Sequence, residues 1–186
     1  MEVQTMVYVF LADGFEEIEA LTPVDLLRRA GVDAITVSIY PDRKTVTGAR
    51  KISVNADETI DKITCKTDDV IVLPGGMPGT VNLLECEPLM KMVDDHNGAG
   101  GRIAAICAAP AKILGRKGLL KGKKATCYPG LEDLLEGASF VTDSVVTDGN
   151  ITTSRGLGTA VDFACELIRV LADQEKSDSI RASVVA

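Results

Sequence analysis

The sequence predicts an α/β protein in which a mostly parallel sheet is layered between helices. Two observations lead there. Short apolar runs at residues 5–12, 34–39, 70–73 and 102–106 are rich in Val, Ile, Ala and Leu, as strands covered on both faces are. Most of these runs pass through glycine or small residues straight into a helical pattern. Strands that alternate with helices in this way pair in parallel through right-handed crossovers.

Residues 5–12 read TMVYVFLA, a buried strand, and Gly14 with Glu16 and Glu17 then opens a helix, since acidic groups suit the positive end of a helix dipole. Ile18, Leu21, Val24, Leu26 and Leu27 follow at helical spacing, and Gly31 after Arg28 and Arg29 is a stop signal. Residues 34–39 form the next strand. The apolar run 70–73 ends in Pro74, Gly75 and Gly76, a loop whose backbone must approach something closely. A helix is expected over residues 81–96, a strand over 102–106, and a further helix from 108 to 114. Shorter strands are expected at 125–127, 140–142, 145–146 and 151–153, the last two joined by the turn residues Asp148, Gly149 and Asn150. A long amphipathic helix over 158–172 follows. No repeat or linker divides residues 1–186, so one domain is expected.

The bulk composition narrows the partners. With 20 Lys and Arg against 27 Asp and Glu, the net charge is −7, which disfavours nucleic acid and anionic lipid. The amino terminus lacks the basic and small-residue features of an export signal, and no apolar stretch approaches the ~18 residues that span a bilayer. Five cysteines, none spaced C-x-x-C, fit free thiols in a reducing cytoplasm and no metal site. No organic cofactor motif is present.

In open sheets of this kind, ligands bind beyond the carboxyl ends of the strands. Residues 13–19, 74–79, 107–110 and 154–158 all fall at such ends. Cys107 sits between the apolar strand IAAI and the small residues Ala108 and Ala109, the setting of a nucleophile elbow. A helix start beside it should lower the thiol pKa. Cys86 and Cys165 lie among apolar residues at helical spacing and read as core, Cys65 reads as near the surface, and Cys127 is a candidate resolving thiol. The single histidine, His96, precedes the strand ending at Cys107. Five residues at about 3.3 Å each put it roughly 17 Å away, at the wrong end, where it reads as a solvated helix-end residue.

The segments LADGFEEIEALTPVDLLRRAG (11–31), VIVLPGG (70–76), AICAAPA around Cys107 and TSRGLGTAVDF (153–163) resemble the DJ-1/YajL branch of the DJ-1/PfpI superfamily. The resemblance implies a flavodoxin-like three-layer sandwich, a homodimer, and a cysteine readily oxidised to sulfinic acid. It implies Cys107 as the reactive cysteine and Glu19 as its partner carboxylate. Gly75, Gly76 and Ala108 would be backbone donors to an oxyanion, and Arg50 and Arg155 would line an anion-binding mouth. A carboxyl buried beside a thiolate has its pKa raised, so Glu19 could stay protonated and move a proton in catalysis. No histidine follows Cys107 or the 125–127 strand, where Ala108 and Tyr128 stand. That argues against a Cys-His-Glu peptidase or amidotransferase.

The activity this implies is glutathione-independent conversion of reactive dicarbonyls to hydroxy acids, or removal of early glycation adducts from proteins. The competing expectation is a non-enzymatic redox sensor or chaperone that works through oxidation of Cys107. A phosphate-binding role in thiazole biosynthesis has no phosphate-cradling motif behind it.

Overall fold

The computed structural model describes residues 5–186; Met1–Gln4, which bear on the export-signal expectation, lie outside the described residues. Strand β1 (Met6–Leu11) leads through α1 (Glu17–Arg29) to β2 (Asp33–Ser38). A hairpin of β3 (Thr45–Thr47) and β4 (Ser53–Asn55) precedes the short edge strand β5 (Glu58–Thr59) and then β6 (Val70–Leu73). Helices α2 (Gly79–Glu85) and α3 (Glu87–Gly98) lead to β7 (Arg102–Ile106), which is followed by a π-type helical turn over Pro110–Gly115. Strands β8 (Lys124–Ala125) and β9 (Ser139–Phe140) pair with each other, β10 (Val145–Asp148) and β11 (Ile151–Ser154) form a hairpin, and α4 (Ala160–Leu171) and α5 (Gln174–Ser183) follow.

The main sheet has seven strands in the order β10-β11-β7-β6-β1-β2-β5. Every pairing in it is parallel except β10 with β11. Alternate side chains feed two cores, as the two-residue period of a strand requires. Val7, Val9 and Leu11 of β1 and Ala104 and Ile106 of β7 join α1, α4 and α5 through Leu27, Phe163, Ile168 and Ile180. Phe10, Ile103 and Ala105 face the other way, onto Leu83, Leu89, Val93 and Ile113. Burying each such side chain contributes about 1.5–3 kcal/mol, so both faces of the sheet resist being opened.

Helix α1 ends as its composition predicts. Gly31 takes a φ of +81°, its N–H reaches Arg28 O, and the Val32 N–H reaches Leu27 O, the paired bonds of a Schellman stop. The expected hairpin at Asp148–Asn150 also forms, with Gly149 at a φ of +61°.

Other expectations need correction. The single helix expected over 81–96 is two, because Cys86 is extended and caps α3, with Pro88 in the new first turn; proline lacks the N–H and collides with the preceding turn of a continuous helix. The helix expected directly after Cys107 starts later and is wound wider. The strand at 125–127 shrinks to Lys124–Ala125 and joins only β9. His96 is buried at 5% exposure, not solvated, although it does sit at the amino end of β7, where its ring faces Arg102 O.

Candidate active site

The carboxyl ends of β1, β6, β7 and β11 meet above one edge of the sheet, and their loops are stitched together by backbone. Gly79 N–H donates to Gly14 O at 3.1 Å and Glu16 N–H donates to Gly75 O at 2.9 Å. Gly76, with a φ of +94°, packs so closely that an added Cβ would lie 2.6 Å from Gly14 O. Only glycine satisfies both the left-handed backbone and the close approach.

Cys107 has a φ of +66°, a left-handed conformation that is strained for a residue with a side chain. Strand β11 and the loop after β8 hold it there: Cys107 N–H donates to Ser154 O at 3.0 Å, and Tyr128 N–H donates to Cys107 O at 2.8 Å. The strand-to-helix elbow expected from the small residues around it is thus present. Its sulfur lies beside the backbone amides of Gly76 and Ala108, which favour the thiolate, and beside the Glu19 carboxyl, which opposes it.

Glu19 is 1% exposed. It lies in the first turn of α1, and Pro23, four residues on, has no N–H to give the Glu19 carbonyl. Gly75 N–H donates to Glu19 Oε2 at 2.9 Å, in a buried contact. Of the two loop glycines, Gly75 therefore has its amide committed to the carboxylate, and the donors left beside the sulfur are those of Gly76 and Ala108.

Burial pushes Glu19 up to about 7, against the pull of its hydrogen bonds from Cys107 and Gly75. Burial, then the charge and hydrogen bond of Glu19, push the Cys107 thiol up to about 12, outweighing the Ala108 and Gly76 amides that favour the thiolate. The expected lowering of the thiol pKa by the helix start is therefore corrected for a thiol beside an ionised Glu19. Two adjacent buried acids cannot both be charged near neutrality, so the pair carries at most one negative charge there, on Glu19 as its proton leaves through about 7.

A cavity of about 560 Å3 opens onto this pair. Arg50, Gly76 and Ala108 line it with Cys107 and Glu19. Arg155 does not line it; its Nη1 reaches toward Thr142 O at 3.5 Å, and its Nε is buried without a partner. Cys127 is buried in the core on the opposite face of the sheet from the one Cys107 packs against. Cys165 is core, as expected.

The wall also contains Glu16, Lys112, Tyr128 and Leu157, which sequence reasoning passed over. Tyr128 was seen only as the place where a histidine was missing. Lys112 follows Cys107 by about one helical turn, and that spacing was the available signal. Glu17, expected to serve the helix dipole, is instead 2% exposed and accepts the Arg50 backbone N–H at 2.8 Å. It anchors the β3–β4 loop that brings Arg50 to the cavity. Among the described residues no cluster of three or more His, Cys, Asp or Glu could hold a metal ion, and no helix is long and apolar enough to cross a membrane.

A cysteine at a strained elbow, paired with a buried carboxyl above a doubly covered parallel sheet, defines a class of α/β proteins with one thiol at the carboxyl end of the sheet. The DJ-1/PfpI family profile matches residues 5–170, and the chain belongs to that family. It is 42% identical over 180 residues to Protein DJ-1 homolog B of Arabidopsis thaliana, covering 96% of this chain and 41% of that one. The chain thus spans less than half the length of that relative and of its homolog A, of which it covers 43%. It is 32% identical over 168 residues to the Glutathione-independent glyoxalase DJR-1.2 of Caenorhabditis elegans, covering 89% and 87% of the two chains. The oxidized Toxoplasma gondii DJ-1 structure superposes with a TM-score of 0.92 at 38% identity, covering 97% of this chain and 98% of that one.

Proposed function

We propose that this chain is a glutathione-independent glyoxalase that isomerises and hydrates small α-dicarbonyls to 2-hydroxy acids, with Cys107 as nucleophile and Glu19 as proton carrier. The observation that carries the reading is the buried Glu19 carboxyl lining one cavity with Cys107, with Glu19 poised at about 7, where a general base works best. The thiol adds to the aldehyde carbon while its proton passes to Glu19. The resulting oxygen is held by the Gly76 and Ala108 amides and takes that proton, giving a hemithioacetal. Glu19 then removes the proton from the former aldehyde carbon and returns it to the neighbouring carbon through an enediol, while the hydroxyl proton on the former aldehyde carbon passes to the neighbouring oxygen. The product is a thioester, which water hydrolyses to the hydroxy acid and the free thiol. Atoms balance as dicarbonyl plus water, with no external oxidant.

Deglycation of proteins would use the same steps on a glycated side chain at the cavity mouth. The homodimer is proposed with it, on the support of the exposed apolar side chains Ile18, Ile52 and Leu157. A cytoplasmic setting is in keeping with the free state of Cys65, Cys86, Cys107, Cys127 and Cys165.

Reduced wild-type protein should form lactate from methylglyoxal without glutathione, Cys107→Ser should form none, and Glu19→Gln should be severely slowed. Normal turnover in Glu19→Gln would overturn the proton-carrier role. The second reading, a redox sensor, is favoured by the two N–H groups that face the sulfur and would hold sulfinate oxygens. It predicts negligible turnover and peroxide-dependent partner binding that Cys107→Ser abolishes.

A further inference from the structure

A second thiol lies at the opposite end of the sheet, with a base of its own. Cys65 Sγ is 3.5 Å from His96 Nδ1. His96 Nε2 is 3.1 Å from the carbonyl oxygens of both Asp69 and Arg102, which precede and begin the strands whose far ends carry Gly75 and Cys107. Carbonyl oxygens only accept, so Nε2 must hold the proton. In the neutral ring that leaves Nδ1 with a bare lone pair, turned toward the sulfur. The ring cannot rotate out of this arrangement: it is 5% exposed and packs directly on Gly101, where any Cβ would strike it. A nucleophile, a base in contact with it and a third group fixing the base form the arrangement that activates cysteine in enzymes.

The site is open to small molecules. Cys65 and His96 line a cavity of about 300 Å3 with an apolar wall of Pro88, Met92 and Ala99. Burial, then the charge of Asp69, push the Cys65 thiol up to about 12, so without a base it would be a slow nucleophile. The other titratable groups around it are Tyr8, whose own pKa is raised in part by Asp69 and Cys65, and Lys91 and Asp95 on the cavity wall.

We propose that Cys65 and His96 form a second thiol centre that is alkylated by small α,β-unsaturated carbonyl compounds. The sulfur forms a bond to the β-carbon as its proton moves to His96 Nδ1, and the π electrons pass to the enolate. The enolate α-carbon then recovers the proton from the imidazolium, leaving a thioether and a neutral histidine. Nothing is oxidised or reduced, and no co-reactant is needed.

The test uses the full chain carrying Cys107→Ser, so that the first site is silent, treated with limiting acrolein and read by peptide mass spectrometry. Cys86 is the internal reference, a half-buried thiol with a raised pKa and no imidazole beside it. Cys65 should react on the order of 100-fold faster than Cys86. His96→Gln, whose amide N–H can still serve the two carbonyls, should bring the rates together. Equal rates before that substitution, or an unchanged Cys65 rate after it, would overturn the proposal. Should His96→Gln fail to fold, the imidazole tautomer decides, because the chain has one histidine and its nitrogen resonances are unambiguous. Nε2–H with bare Nδ1 is expected, and an Nδ1–H tautomer would overturn the proposal.

Discussion

Gly75 and Glu19 are joined by one buried hydrogen bond, the Gly75 N–H donating to Glu19 Oε2 over 2.9 Å, and the same glycine packs against Cys107. A Cβ on Gly75 would stand 2.5 Å from Glu19 Oε2, 2.6 Å from Cys107 Cβ and 3.0 Å from its sulfur. Gly75→Ala must therefore push carboxyl and thiol apart while leaving the sheet below intact. Displacement of reacting groups by an ångström costs about 100-fold in rate. Lactate formation should fall by that order with the circular dichroism spectrum unchanged. An alanine variant of normal activity would mean the pair does not act as a unit.

Glu19→Gln separates the two roles of the carboxyl. The amide can accept from Gly75 and donate to the sulfur, as a protonated Glu19 would, but it cannot carry a proton between carbons. Turnover should drop by about 100-fold or more. The thiol should respond in the opposite sense. Two of the influences that raise it, the charge of Glu19 and its hydrogen bond, are replaced by a neutral donor, so thiolate absorbance should appear at lower pH than in the wild type. A titration shifted to higher pH would contradict the assignment of Glu19 as the charge that opposes the thiolate.

The same carboxyl makes stability depend on pH. Glu19 rises from 4.5 to about 7 on folding, chiefly through burial, so between those values the native chain binds more protons than the unfolded chain. Stability from this group is fully present below about 4.5 and is lost as pH rises through about 7. The span corresponds to about 3 kcal/mol. Denaturant unfolding of wild type and Glu19→Gln should therefore diverge with pH, the wild type losing ground to the variant from pH 5 to pH 8. Parallel curves would show that Glu19 titrates normally in the folded protein.

Much of the sheet was legible because its strands are covered on both sides. The runs at 70–73 and 102–106 are continuous apolar segments, and β6 and β7 form on those residues. The hairpin of β3 and β4 escaped notice because its strands are short and largely exposed, so no apolar period marks them. Helix α5 was missed because its sequence, QEKSDSIRAS, is polar and buries only Ser177 and Ile180. At the site, local chemistry was visible and long-range pairing was not. The elbow at Cys107 could be read from its small neighbours. The committed amide of Gly75, the burial of Glu17 against the Arg50 loop and the absence of Arg155 from the cavity depend on which loops the topology brings together. The charge state was misjudged for a related reason: a helix start favours a thiolate, but burial beside a second acid is a tertiary fact and outweighs it.

Arg50 and Lys112 supply a prediction about substrate choice. Both line the cavity above Cys107, and among the described residues neither side chain takes part in an ion pair. Cations left unpaired at a cavity mouth raise the local concentration of anions. Lys112 is the better probe, because the Arg50 backbone also anchors its loop to Glu17. Lys112→Glu reverses one charge at a half-exposed position where solvent screens the effect, so the change should be modest. The KM for a dicarbonyl bearing a carboxylate should rise about tenfold, equivalent to about 1.4 kcal/mol, while the kcat for methylglyoxal stays near the wild-type value. Steady-state kinetics on the two substrates, repeated at high salt, separates charge from shape. If Lys112 acts through its charge, the difference between the substrates shrinks as salt is added; if both KM values rise together at every ionic strength, the side chain shapes the cavity and does not select the anion.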